Sequence, residues 1–174
     1  ASGVVRQGDE VMVLPAGRRT RIRSITTRDG ELDEAFAPMA VVLTTTEEVD
    51  ISRGNMLTHV HNVPRTDHEF EAMLVWFDEK PLAPGNSYLL KSCTNTVPAT
   101  VTELRYAYDI NTLKRHDAPQ FDLNQIGRVV LTVQRPLCFD TYSRNRQTGA
   151  FILIDRLTNY TAAAGMILEQ RPSE

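Results

Sequence analysis

The stretch that decides the fold runs from Phe70 to Cys93 and reads FEAMLVWFDEKPLAPGNSYLLKSC. The apolar run from Phe70 to Phe77 is typical of a buried strand. The segment 79–86 that follows carries two prolines, a glycine and an asparagine, all of which favour a loop. Ser87 to Cys93 then returns as a second strand. The stretch therefore predicts a strand, a connecting loop and a returning strand, without a helix.

The same pattern continues in both directions along the chain. Residues 20–25 alternate polar and apolar side chains with a period of two, which indicates a strand with one buried face. Strand-forming runs recur about every ten residues between turn residues, the spacing of an all-β barrel or sandwich. The predicted strands are 4–5, 11–14, 20–25, 41–44, 56–57, 70–77, 87–93, 97–106, 126–133, 151–155 and 162–168. The sequence therefore predicts an all-β fold.

A domain boundary is predicted in the stretch from Asn62 to Asp67, which contains Pro64 and is typical of a linker. The predicted strands on its two sides form two groups, each large enough to bury its own core. We therefore expect two consecutive antiparallel Greek-key β-barrels, residues 1–63 and residues 64–174, rather than one sandwich.

Composition limits the partners and the compartment. The chain has 174 residues, of which 41% are hydrophobic and 24% are charged, and its net charge is −3. Nucleic-acid and membrane-surface binders usually carry a positive field, so we expect no nucleic acid and no membrane as partners. Cys93 and Cys138 lie far apart among strand-forming residues, which predicts two buried free thiols. Free thiols and the lack of a signal peptide or membrane span favour the cytoplasm.

The sequence contains no motif for nucleotide binding or catalysis. A phosphate loop of the form G-x-x-x-x-G-K-[ST] would cradle phosphates with its backbone amides, and no such string is present. A nucleophile turn of the form G-x-S-x-G is also absent, so no hydrolase triad is predicted. We assign no catalytic residue and no cofactor-binding residue.

One cluster has some character of a metal site. His59 and His61 would project from the same face of a strand, and Asp67, His68 and Glu69 follow closely. No cysteine pair completes the set, and three of the five residues lie in or beside the predicted linker. Solvated or locally hydrogen-bonded histidines explain this cluster better, so we assign no metal.

Two groups of arginines are candidates for contact with an anionic partner, although solvated faces and turns would also explain them. The first group is Arg18, Arg19, Arg21 and Arg23, and the second is Arg144 and Arg146 in the loop 143–149. We expect Arg144 and Arg146 at the surface, where a planar guanidinium can donate two hydrogen bonds to a carboxylate or phosphate. Thr148 and Gly149 fit turn chemistry before the next strand.

Several strings resemble known families. Residues 4–17, VVRQGDEVMVLPAG, and residues 50–57, DISRGNML, are similar to the second domain of translational GTPases such as elongation factor Tu. Asn55 stands where such sequences often carry aspartate. In the second half, residues 71–91, 109–113, 123–137 and 145–155 together resemble the large subunit of bacterial sulfate adenylyltransferase, also called ATP sulfurylase. The likeness covers nearly the whole chain.

This resemblance implies domains II and III of a longer subunit, with an upstream GTPase domain. The parent would pair with a small subunit that converts ATP and sulfate to adenylyl sulfate and pyrophosphate, driven by GTP hydrolysis. GTP, ATP and Mg would be bound by the parent complex, and none of them by this fragment. In some relatives an adenylyl-sulfate kinase domain follows, and the tail from Gln170 to Glu174 could lead towards one.

The same resemblance implies that the first barrel lacks one or two strands upstream of Ala1. It also leaves an alternative open, because translation factors use a similar pair of barrels: this chain could be the tRNA-binding barrel pair of an elongation factor. Its acidic balance and the sulfate-type strings of its second half argue against that alternative.

Overall fold

The computed structural model describes residues 1–169, and every helix or strand in that range is a β-strand. The predicted all-β fold is therefore confirmed. No helix of the described part is long and apolar enough to cross a membrane. The chain divides into two compact units, the first Ala1–Arg65 and the second starting at Thr66. The tail from Gln170 to Glu174 lies outside the described residues.

The first unit is a half-barrel. Its strands are β1 (Val4–Arg6), β2 (Glu10–Leu14), β3 (Arg18–Thr27), β4 (Gly30–Leu32), β5 (Glu34–Phe36), β6 (Val42–Thr45) and β7 (Met56–His59). The main sheet has the order β4-β3-β2-β7, β6 pairs with β3, and β1 pairs with β5 in a separate ribbon. A small core of Val11, Ile22, Ile25 and Ala35 holds it together.

Two glycine turns shape this half-barrel as the sequence indicates. Gly8 has a φ of 88°, and the Asp9 carboxylate accepts a 2.7 Å hydrogen bond from the backbone amide of Arg6. Gly54 has a φ of 100°, and the Asn55 side chain accepts a 2.7 Å bond from the Ser52 amide. Positive φ favours glycine because it has no Cβ.

The second unit is a closed barrel of six strands with one short extra strand. Its strands are β8 (Arg65–Trp76), β9 (Ser87–Ser92), β10 (Asn95–Tyr108), β11 (Arg115–His116), β12 (Ile126–Phe139), β13 (Ala150–Ile154) and β14 (Thr161–Ile167). Their order is β11-β10-β12-β8-β14-β13-β9, and β9 pairs with β10 to close the ring. The pairings β10–β12, β10–β9, β13–β14, β13–β9 and β14–β8 are antiparallel. Closure leaves the six barrel strands without a free edge.

The expected linker is shorter than predicted, because β8 already begins at Arg65. Two side chains fasten this early part of the strand to β12. The Thr66 hydroxyl lies 3.3 Å from the Cys138 sulfur, and Nδ1 of His68 lies 3.2 Å from the Val133 carbonyl oxygen. Pairing with a distant strand therefore extends β8 into a stretch whose local sequence is typical of a loop.

Aromatic side chains fill the second barrel. Phe70 packs against Phe139 and Phe151, with ring centroids 5.1 and 5.9 Å apart. Trp76 lies edge-on to Tyr88, and its indole nitrogen donates a 2.9 Å bond to the Lys80 carbonyl. All five rings are buried among aliphatic side chains of the same barrel. The barrel interior is therefore a complete core of its own.

Glycine makes room for one of these rings on the inner face. A Cβ built on Gly165 would lie 2.1 Å from the ring of Phe151, which is its cross-strand partner. No side chain can occupy that space without moving the ring. The alternation along β14 is thus fixed, with Ala163 and Gly165 facing inward and Ala164 and Met166 facing outward.

Candidate interaction surfaces of the second barrel

The loop between β12 and β13 is held in shape by its own hydrogen bonds. Thr148 is buried, and its hydroxyl donates a 2.8 Å bond to the Asp140 carboxylate. The backbone amides of Arg144 and Asn145 both donate to the Thr141 carbonyl at 3.0 Å. A loop fixed in this way can present side chains without reordering when a partner binds.

Gly149 ends the loop where two backbone segments come close together. A Cβ at this position would lie 2.5 Å from the backbone nitrogen and Cα of Tyr142. The Gly149 amide donates a 2.8 Å bond to the Asn145 carbonyl, and its carbonyl accepts one of 2.8 Å from the Ile167 amide. Thr148 and Gly149 therefore have a structural part in the turn.

Arg144 and Arg146 both lie at the surface of this loop. The Arg144 side chain is 59% exposed, and its Nε lies 3.7 Å from the Asp140 carboxylate. The guanidinium carbon of Arg146 lies 6.0 Å from the ring centroid of Tyr142, at the outer limit of a cation–π contact. Exposure fits the predicted interface, and contact with an anionic partner stays a prediction.

The other arginine group belongs to the first unit. Arg19, Arg21 and Arg23 are exposed along β3, and they alternate with the buried side chains of Thr20 and Ile22. Their Cβ atoms share the outer face of the strand. This arrangement fits the simpler interpretation, a solvated face, and the structure gives no further sign of an anionic partner there.

The histidines of the weak metal cluster make separate local contacts. Nε2 of His59 lies 2.9 Å from the Val4 carbonyl and 4.0 Å from the Asp9 carboxylate. His68 contacts β12 as described above, and His61 is exposed. Residues 1–169 contain no group of three histidine, cysteine or carboxylate side chains placed to hold a metal ion.

The prediction for the cysteines is right for Cys138 and wrong for Cys93. Both thiols are free, but Cys93 is exposed. It lies in the tight turn after β9 with a φ of 51°, and its thiol donates a 3.1 Å bond to the Gln147 carbonyl. Burial raises the pKa of the Cys138 thiol, and the hydrogen bond with Thr66 partly opposes that shift. The turn places Cys93 outside the barrel. The apolar residues that precede it give no sign of that turn.

Sequence analysis missed a group of ion pairs on the outer surface of β8, β10 and β12, here called the ion-paired face. Arg128 donates to the carboxylate of Glu71, and both side chains are largely buried. Arg105 lies 3.5 Å from Glu71 and 2.6 Å from Glu103. Two irregularities in the β10–β12 register bring these residues together, and local sequence does not reveal such shifts.

Sequence analysis also missed an apolar surface on the opposite half of the barrel, here called the apolar face. It consists of the outward side chains of β8, β13 and β14, namely Met73, Val75, Ala150, Ile152, Ala164 and Met166. Strand register makes them neighbours, because Ala164 pairs with both Val75 and Ile152, and Met166 pairs with both Met73 and Ala150. Small side chains beside larger ones leave an open groove of about 580 Å³.

The sequence of the second barrel matches a known protein family. The family described as GTP-eEF1A C-terminal domain-like matches residues 69–168, more than half of the chain. The chain belongs to that family. Crystal structures of Sup35 share the fold: the complex with GMPPNP superposes with a TM-score of 0.85 at 20% identity, covering 95% of this chain and 41% of Sup35. The predicted likeness to the barrels of translational GTPases is confirmed.

Curated proteins of similar sequence indicate which member of this family the chain resembles. The chain is 51% identical over 170 residues to the bifunctional enzyme CysN/CysC of Rhodopirellula baltica, covering 98% of this chain and 26% of the relative. It is 47% identical over 170 residues to sulfate adenylyltransferase subunit 1 of Bacteroides fragilis, covering 98% of this chain and 36% of the relative. The resemblance to the sulfate adenylyltransferase large subunit is therefore confirmed. The chain spans only about a quarter to a third of these relatives.

Proposed function

We propose that this chain is the non-catalytic barrel region of a GTP-dependent sulfate adenylyltransferase large subunit in sulfate assimilation and cysteine biosynthesis. One observation carries the proposal: identity to relatives named sulfate adenylyltransferase subunit 1 or CysN/CysC is 42–51% and extends over almost the whole chain. The parent, a cytoplasmic enzyme, would form adenylyl sulfate and pyrophosphate from ATP and sulfate. Some relatives have a name that includes CysC, which supports a kinase domain in the parent as well.

In this proposal the chemistry lies outside the chain. An upstream GTPase domain and a catalytic small subunit would bind GTP, ATP and Mg, and the barrels would couple the GTPase state to the small subunit. Two features support the division. The sequence lacks a phosphate loop, and the second barrel closes around its own core while carrying two different outer faces. A rigid, self-sufficient barrel is well suited to hold partners in fixed positions.

Calorimetry with GTP tests the division of labour. We expect the complete large subunit to bind GTP and this chain, at the same concentration, to bind none. A micromolar dissociation constant for GTP and this chain alone would contradict the proposal.

A second experiment tests the coupling. Deleting the segment equivalent to residues 4–169 from the complete large subunit should preserve GTP binding and abolish GTP-stimulated pyrophosphate release in the presence of the small subunit. Full stimulation without the barrels would contradict the coupling role. Tight RNA binding by the chain, falling steeply with salt, would instead favour the tRNA-binding alternative.

A further inference from the structure

The groove on the apolar face has the form of a docking site. Its floor and walls include Val75, Ile152, Ala164 and Met166, all on the outside of a barrel whose core is complete without them. Their inward neighbours on the same strands, such as Leu74 and Leu153, are fully buried. Val75, Ile152 and Ala164 are half-buried and Met166 is 38% exposed, so folding of the barrel leaves this apolar surface partly open to water. An open apolar groove of this size marks a binding site.

Charge around the groove indicates what kind of partner fits. Lys91 lines it, and Tyr142, which also lines it, lies beneath the guanidinium of Arg146. Within the described part of the chain, neither Lys91 nor Arg146 makes an ion pair. The nearest acid of the adjoining loop, Asp140, is engaged by Thr148 and Arg144. A chain with a net charge of −3 thus presents a local positive border around an apolar groove.

We propose that this groove binds the catalytic small subunit, through a segment that inserts an apolar side chain and carries carboxylates beside it. The inference rests on the proposed function and adds the surface and the chemistry of the contact. Apolar burial in the groove supplies affinity, and the carboxylates pair with Lys91 and Arg146 at its border. Arg146, predicted from the sequence to contact an anionic partner, is then one residue at the edge of this docking groove.

Thiol labelling of the unmodified chain tests the site first. Cys93 lines the groove and is exposed, whereas Cys138 is buried. We expect saturating small subunit to slow the reaction of Cys93 with a maleimide at least tenfold, with bovine serum albumin at the same concentration having no effect. An unchanged labelling rate in the presence of bound small subunit would overturn the proposal.

A matched pair of variants tests the same site by affinity. Ala164→Glu puts a carboxylate on the groove floor, and Thr102→Glu puts one on an exposed strand position of the opposite half. Titration of the fluorescently labelled chain with small subunit should show at least tenfold weaker binding for Ala164→Glu and less than a twofold change for Thr102→Glu. Unchanged melting temperatures would show that both variants remain folded.

The outcomes separate this inference from the proposed function. If the Ala164→Glu variant binds the small subunit as tightly as the unmodified chain does, the groove is not the docking site. The barrel's coupling role would still stand. If the unmodified chain does not bind the small subunit at all, the docking proposal is also wrong. The coupling role is judged separately, by GTP-stimulated pyrophosphate release of the subunit that lacks the barrels.

Discussion

The two halves of the outer surface of the second barrel differ in chemistry although strand β8 contributes to both. On the ion-paired face, Glu71 and Arg128 satisfy each other and are only 14% and 11% exposed. On the apolar face, Val75 and Ile152 line an open groove that no other side chain among residues 66–169 fills. Glu71 and Val75 lie on the same side of β8, so strand alternation cannot explain the difference. The ion-paired face is complete in the isolated chain, and the apolar face is suited to a partner.

The largest expected effect distinguishes the inside of the barrel from the apolar face. Leu153 is fully buried and Ile152, its neighbour on β13, points outward. We expect Leu153→Ala to reduce the free energy of unfolding by about 3 kcal/mol and Ile152→Ala by about 1 kcal/mol or less. Urea denaturation of both variants measures the difference. Equal losses would mean that the apolar face is part of the folding core.

A smaller effect is expected from overpacking on β14. Gly165→Ala places a methyl group against the Phe151 ring, so we expect a loss of about 2 kcal/mol. Alanine is otherwise better than glycine in a strand, so any loss reports the clash. Ala164→Ser, one residue away on the outer face, should change stability by less than about 0.5 kcal/mol. Thermal and urea unfolding of the two variants measures both losses. A larger loss for Ala164→Ser than for Gly165→Ala would show that the inward and outward positions of β14 are assigned the wrong way round.

The ion-paired face should respond as a coupled unit. Arg128→Met leaves the Glu71 carboxylate with Arg105 alone, and we expect a loss of about 1–2 kcal/mol. Adding Glu71→Leu should restore most of that loss, because the stranded charge is then removed. A double-mutant cycle in urea measures the coupling energy. Additive losses would show that the two residues are independent and that this face is not held by its ion pair.

The smallest effect on stability is expected in the loop that borders the groove. Arg144→Ala combined with Arg146→Ala should change the free energy of unfolding by less than about 0.5 kcal/mol, because exposed ion pairs contribute little. Binding of the small subunit should weaken nonetheless. Arg156→Ala, another exposed arginine of this barrel, serves as the control. A loss of fold stability without any assembly defect would make the loop structural only.

Local sequence predicts the strands well because alternation and turn chemistry are local. Thr20 to Ile25 lies within β3, and the Arg53-Gly54 turn precedes β7. Errors arise where distant pairing decides. Strand β8 starts at Arg65 because it pairs across the sheet, and Cys93 is exposed because a two-residue turn carries it out of the strand.

The surfaces of the second barrel could be predicted only in part. Exposure of Arg144 and Arg146 is expected from a polar loop, and the structure agrees. The apolar face could not be predicted from the sequence, because residues 162–166 are apolar throughout. No alternation of polar and apolar residues there shows which side chains face outward. Its members also come from three strands brought together by sheet order, which the sequence of a single strand does not contain.

The most direct test of the account uses the complete large subunit with Ala164→Glu and follows GTP-stimulated pyrophosphate release as the small subunit is titrated. If the barrel is a non-catalytic docking region, the half-saturating concentration of small subunit should rise at least tenfold, while the rate at saturation and GTP affinity stay unchanged. A fall in the saturated rate with an unchanged half-saturating concentration would contradict the account, since the groove would then act on a step after assembly and not on docking of the small subunit.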